Sequence, residues 1–98
     1  MRISAVITGA SQGIGEAIAV AFAKEAGVRL FLVARNREGL QKVADRCAAL
    51  GAYAEALPCD LTDANAVQTV ADRLALAGEA PNLLVNNAGR FTEQELRE

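Results

Sequence analysis

The sequence predicts an α/β fold: a doubly wound parallel sheet with the element order βαβαβαβ and the strand order 3-2-1-4. Three observations predict it. Short strand-like runs alternate with stretches of helical periodicity. The runs are almost continuously apolar, as suits strands covered on both faces. Glycines stand where each helical stretch should stop.

In order, residues 2–8 (RISAVIT) form the first expected strand, ending at Gly9. A helix follows over 14–26, with Ile14, Ala17, Ile18, Ala21 and Phe22 as its expected buried face and Gly27 as its stop. Arg29–Ala34 (RLFLVA) is the second strand. Leu40, Val43, Ala44, Cys47 and Leu50 then recur at helical spacing up to Gly51. Residues 53–59 (YAEALPC) read as a third strand, with Pro58 confined to a strand end or a sheet edge because it lacks an N–H. Val67, Val70, Ala71 and Leu74 mark a third helix ended by Gly78, and 82–86 (NLLVN) a fourth strand. Thr92 and Glu95 have capping-box spacing, which starts a further short helix within 90–98.

The 98 residues amount to one domain, 1–98. Hydrophobic residues are 52% of the chain, but 21 residues are alanine, so the core is expected to be thin and built from close helix–sheet contacts. That apolar share excludes a disordered chain. No apolar run approaches the roughly 18 residues of a membrane span. No secretory signal is read at the start, and a net charge of −2 without a basic patch argues against nucleic acid. Histidine is absent, which removes His-based triads and His-ligated metals; no metal site is expected. Cys47 and Cys59 have neither metal nor redox spacing and read as small buried hydrophobes in a reducing, cytoplasmic setting.

The chemistry is concentrated in Thr8-Gly9-Ala10-Ser11-Gln12-Gly13-Ile14-Gly15, between the first strand and the first helix. Gly9 permits a sharp turn with positive φ. Gly13 lets backbone approach a pyrophosphate, and Gly15 lets the helix approach the sheet. The helix N-terminus then offers free N–H groups and partial positive charge to phosphates. The strand–turn–helix context is what gives such a glycine triplet meaning.

This turn resembles the TGxxxGxG cofactor turn of the short-chain dehydrogenase/reductase family rather than the GxGxxG of other dinucleotide enzymes. Asn86-Asn87-Ala88-Gly89 resembles that family's NNAG segment, and Cys59-Asp60-Leu61-Thr62 its motif after the third strand. The resemblance spans essentially the whole chain. It implies a Rossmann-like fold and a dinucleotide cofactor held by Gly9, Ser11, Gln12, Gly13, Ile14, Gly15, Arg35, Asn36, Asp60, Leu61, Asn87, Ala88 and Gly89. Asp60 is implied at the adenine ring, Asn87-Ala88-Gly89 along the cofactor, and Arg35-Asn36 at the adenosine ribose. Ala34 holds the place where NAD-preferring relatives carry Asp, and Arg35 follows with a guanidinium suited to a 2′-phosphate. The cofactor implied is therefore NADP(H) over NAD(H), although many NADP-using relatives carry Arg or Lys where this chain has Gln12. Each position also has a plain structural reading: Asp60 as a helix-flanking acid, Asn87 as a turn residue, Arg35 as a solvated charge.

The family's catalytic Ser and Tyr-x-x-x-Lys have no counterpart here. The one tyrosine, Tyr53, is followed four residues on by Leu57. No catalytic residue is assigned, and the 98 residues alone are expected to be inactive. The expected role is the NADP(H)-binding part of an oxidoreductase moving hydride between a nicotinamide and a small carbonyl or alcohol substrate, cut short relative to the family. A non-catalytic nucleotide-binding module and a sheet-completing interaction fragment are the alternatives, and a homo-oligomer stays open. Leu83, Leu84 and Val85 are expected on an exposed sheet edge unless a further strand covers them.

Overall fold

Strands and helices alternate without exception in the computed structural model, which describes residues 3–76 and 81–87. The elements are β1 (Ser4–Thr8), α1 (Gly13–Ala23), β2 (Arg29–Ala34), α2 (Arg37–Ala49), β3 (Tyr53–Pro58), α3 (Ala64–Ala75) and β4 (Leu83–Val85). All strand pairs are parallel, in the order β3-β2-β1-β4. The expected fold class and strand order are therefore observed. The expected stop at Gly78, the residues Ala88 and Gly89, and the short helix within 90–98 lie outside the described residues.

Strand alternation divides the core into two layers. Ala5 and Ile7 of β1 and Leu30 and Leu32 of β2 face α1 and α2. Val6, Phe31 and Val33 point to the other side, where Ala66, Val70 and Leu74 of α3 pack. The two central strands, β1 and β2, are buried almost throughout, as their unbroken apolar runs require. The flanking strands are not: β3 is mostly half-buried, and Leu83 and Leu84 of β4 are exposed, the latter 66%. Pro58 is the last residue of the edge strand β3, where its missing N–H costs no ladder bond.

The buried face of α1 differs from the expected one. Gly15, Ala19 and Ala23 are buried, Ile18 and Phe22 flank them, and Ile14, Ala17 and Ala21 face outward. The helix is apolar nearly all round, so periodicity does not select a face. Close approach does: the smallest side chains, four residues apart, turn toward the sheet. In α2 the polar positions are distinct, and Leu40, Val43, Ala44 and Cys47 are buried as expected, while Leu50 just beyond the helix is 44% exposed.

Polar side chains of β2 and β3 line the sheet face that carries α3. Arg29 lies over the Phe31 ring (5.6 Å) and the Tyr53 ring (5.1 Å), contacts worth about 0.5–1 kcal/mol each at partly exposed sites. Tyr53 donates to Glu55 at 2.8 Å, and Glu55 pairs with Arg73 of α3. A charged network of this kind discourages pairing of the edge with another strand. Across the opposite layer, Arg46 of α2 bridges to Glu16 of α1 at 3.1 Å, an exposed pair worth ~1 kcal/mol or less.

Candidate functional site

In a parallel sheet every strand ends on the same side, and ligands bind beyond those ends where the strand order reverses. Here the chain moves outward from β1 to β2 and β3, then returns to the other flank of β1 with β4. The reversal lies between β1 and β4, and the turn after β1 sits directly over it.

That turn is shaped by backbone. Gly9 takes φ +64°, a conformation that side chains disfavour, and swings the chain off the strand end. Ala10 is fully buried and its N–H reaches Val33 O at 3.4 Å, tying the turn to the end of β2. Gln12 is the extended residue before α1, and its side chain makes no capping bond to the helix. The amides of Gly13, Ile14 and Gly15 have no acceptor within the helix, because the first intrahelical bond to this end is Glu16 N to Gln12 O, 3.4 Å. Gly13 also has positive φ (+62°), and a Cβ built on it meets no atom within 4 Å. The side-chain position of Gly13, at the end of the helix that carries the free amides, is therefore open. At Gly15 there is no such room: a Cβ would overlap the Gly9 carbonyl oxygen and stand 2.8 Å from Asn87 Nδ2.

Thr8, the last residue of β1, joins this turn to the one after β4. Its hydroxyl accepts from Asn87 N at 2.8 Å and lies 3.1 Å from Asn86 Oδ1, to which it donates. Asn86 and Asn87 are thus held beside the glycine turn, with Asn87 also against Gly15. Thr8 opens the glycine motif but was not among the residues expected to hold the cofactor. Its signal was its place: a hydroxyl at the end of an apolar strand, 93% buried, must find a partner there.

At the ends of β2 and β3 the structure places Arg35, Asn36, Asp60 and Leu61 on the same rim. Arg35 is exposed and follows Ala34 directly. Asn36 caps α2, its Oδ1 accepting from Gly39 N at 2.9 Å. Asp60 does not cap α3; Asp63 does, accepting from Asn65 N at 2.9 Å. Asp60 Oδ1 instead accepts from Thr62 Oγ1 (2.7 Å) and Thr62 N (2.9 Å), so the carboxylate is fixed at the end of β3. Those two bonds, hydroxyl first, hold its pKa below the usual aspartate value, and the Arg35 charge adds to the effect. Ile14 (70% exposed) and Leu61 (41%) present apolar surface on this rim.

Elsewhere, Cys47 and Cys59 are free and buried, as expected of small hydrophobes, and burial pushes both thiols up in pKa. Among the described residues there is no cluster able to hold a metal ion, and no helix long and apolar enough to cross a membrane.

A doubly wound sheet, with a glycine turn and free helix amides at its switch point, defines a Rossmann-like domain. Comparison with known proteins is more specific. The short chain dehydrogenase family model matches residues 4–98. The fatty acyl-CoA reductase of Acinetobacter baylyi is 40% identical over 94 residues, covering 96% of this chain and 32% of that protein. A metagenomic short-chain oxidoreductase solved in complex with NADP superposes with a TM-score of 0.79 at 42% identity, over 90% of this chain and 39% of that one. L-sorbose reductase from Gluconobacter frateurii, complexed with NADPH and L-sorbose, gives a TM-score of 0.83 at 36% identity, over 92% of this chain and 34% of that one. The chain belongs to the short-chain dehydrogenase family of oxidoreductases, and it spans about a third of the length of these relatives.

Proposed function

We propose that these residues form the NADP(H)-binding part of an oxidoreductase that moves hydride between the nicotinamide and a small carbonyl or alcohol substrate. The observation that carries this is the open space at Gly13, at the end of α1 whose first amides have no acceptor within the helix. A diphosphate placed there meets backbone donors and the positive end of the helix dipole. Gly13 admits it because no Cβ intervenes.

The other residues extend the cradle along the rim. Arg35 and Ser11 take the 2′-phosphate, with Asn36 beside them. Arg35 is the main electrostatic determinant, since a guanidinium pairs with phosphate and no acid at Ala34 opposes it. Asp60, its carboxylate pinned by Thr62, accepts from the adenine amino group, and Leu61 covers that ring. Gln12 and Ile14 border the diphosphate, and Asn87, Ala88 and Gly89 line the far side. Bound NADP(H) supplies hydride chemistry; the described residues bind and orient it. No Tyr-x-x-x-Lys pair occurs in the sequence, so the acid–base step is assigned to none of these residues. The solved relatives that hold NADP or NADPH support the choice of cofactor.

Titration with NADPH and NADH, read by nicotinamide fluorescence, tests the reading. NADPH is expected to bind the tighter, and Arg35→Asp to reverse that order by weakening NADPH at least tenfold. Equal affinities that Arg35→Asp leaves unchanged would remove Arg35 from the site. Absence of saturable binding by folded protein would refute the proposal.

A further inference from the structure

Gly39 is the third residue of α2. Helix chemistry favours another residue there. Glycine is the poorest helix former after proline, and the third position of a capped helix suits Glu or Gln, whose side chain reaches back to the cap. Conformation does not account for the glycine, because Gly39 is not among the residues of positive φ. Space does. A Cβ built on Gly39 stands 3.1 Å from Asn36 Nδ2, 3.2 Å from Asn36 Cγ and 3.4 Å from Ser11 Cβ.

These neighbours come from two different turns, one after β1 and one after β2, and both reach the same point over Gly39. The Asn36 carboxamide is fixed in its orientation there. Its oxygen accepts from Gly39 N at 2.9 Å, which leaves the nitrogen, a donor, outside the cap and near the point over Gly39 that Ser11 Cβ also approaches. Arg35 precedes Asn36 in the same turn. A methyl group at residue 39 would push the amide out of this arrangement or part the two turns.

We infer that Gly39 is a positioning residue for discrimination between NADPH and NADH: it leaves out its side chain so that the Asn36 amide and Ser11 converge beside Arg35 on the 2′-phosphate. This rests on the NADP(H) reading of the site. It also accounts for how one arginine serves without a cation at Gln12, because two neutral donors supplement it. A ribose with a free 2′-hydroxyl would use these groups far less, so NADH affinity is set elsewhere.

The test uses Gly39→Ala and Asn36→Asp in the intact chain, with NADPH and NADH dissociation constants and thermal midpoints measured side by side. Gly39→Ala should raise the NADPH constant about tenfold, equivalent to about 1.4 kcal/mol, and the NADH constant less than twofold. Its thermal midpoint should change little, since the better helix propensity of alanine offsets a strained Asn36 cap. Asn36→Asp retains the capping oxygen but replaces the donor nitrogen with an anionic oxygen. It should weaken NADPH about thirtyfold, again with NADH little changed. If wild-type protein binds NADPH and both variants shift the two cofactors by the same factor, or by none, Gly39 is structural only and the inference is overturned while the binding site stands. If wild-type protein binds neither dinucleotide, the proposed function itself fails and this inference with it.

Discussion

Gly13 and Gly15 are two residues apart, yet alanine at each should fail for a different reason. At Gly15 the new methyl has no room. It would overlap Gly9 O and stand 2.7 Å from Gly9 C and 2.8 Å from Asn87 Nδ2, against about 3.4 Å or more for ordinary carbon contacts. The Asn87 amide is a movable side chain, but the Gly9 peptide is backbone set at φ +64°. Either α1 or the turn must retreat by several tenths of an ångström or more. Overpacking of this kind costs about 1–3 kcal/mol, and the better helix propensity of alanine returns about 1 kcal/mol at most. At Gly13 nothing lies within 4 Å, so the cost is that of a left-handed alanine, about 1–2 kcal/mol, partly offset by a stiffer unfolded chain. Its methyl would stand in the space assigned to the diphosphate. Urea unfolding followed by circular dichroism, paired with NADPH titration, separates the cases. Gly13→Ala should lose binding out of proportion to a stability loss near 1 kcal/mol. Gly15→Ala should lose stability and binding together. Wild-type stability in Gly15→Ala would show that α1 does not approach the turn so closely, and wild-type NADPH affinity in Gly13→Ala would place the phosphates elsewhere.

Two further measurements bear on the described structure. Cys47 and Cys59 are 0% and 5% exposed and burial raises their pKa, so native protein at pH 8 should resist alkylation until denatured; rapid labelling of either thiol without denaturant would contradict the packing. Asp60 is the reverse case. Its folded pKa is depressed, so the stability it contributes is present above its unfolded pKa and is lost as pH falls through the folded value. Thr62→Val removes the hydroxyl bond and should move the Asp60 titration upward, toward the ordinary aspartate range, in a carboxyl NMR titration; an unmoved midpoint would mean that Thr62 is not its partner.

Legibility in the sequence followed how unevenly each segment was patterned. α2 has charged residues between Leu40, Val43, Ala44 and Cys47, so one face could go inward, and it did. α1 has almost no polar positions, and its buried face is set by a contact between its own Gly15 and the Gly9 carbonyl, which no periodicity records. The glycine turn was legible because its requirements fall on backbone, and backbone requirements exclude most residue types. The role of Thr8 was not, since the motif names the residue but its hydroxyl is seen between Asn86 and Asn87 only in the structure. Asn36 was expected at the ribose for its position after β2, but its capping oxygen shows only with the start of α2 in place. Gly39, just ahead of the pattern that begins at Leu40, carried no reading in the sequence, and the crowding around it shows only in the structure.

The geometry of the rim follows from the economy of this core. Twenty-one alanines give weak burial per residue, but they allow α1 to lie close over β1 and β2, with Gly15, Ala19 and Ala23 toward the sheet. That closeness brings the first turn of the helix down onto the strand ends, so that its free amides and the turn after β4 share one rim. A helix seated on leucines would stand further out, and its amides would be carried away from Asn87. The small side chains that thin the core thus put backbone donors where the strand order reverses. This is why a chain so poor in large hydrophobes can still hold a site made mostly of peptide groups.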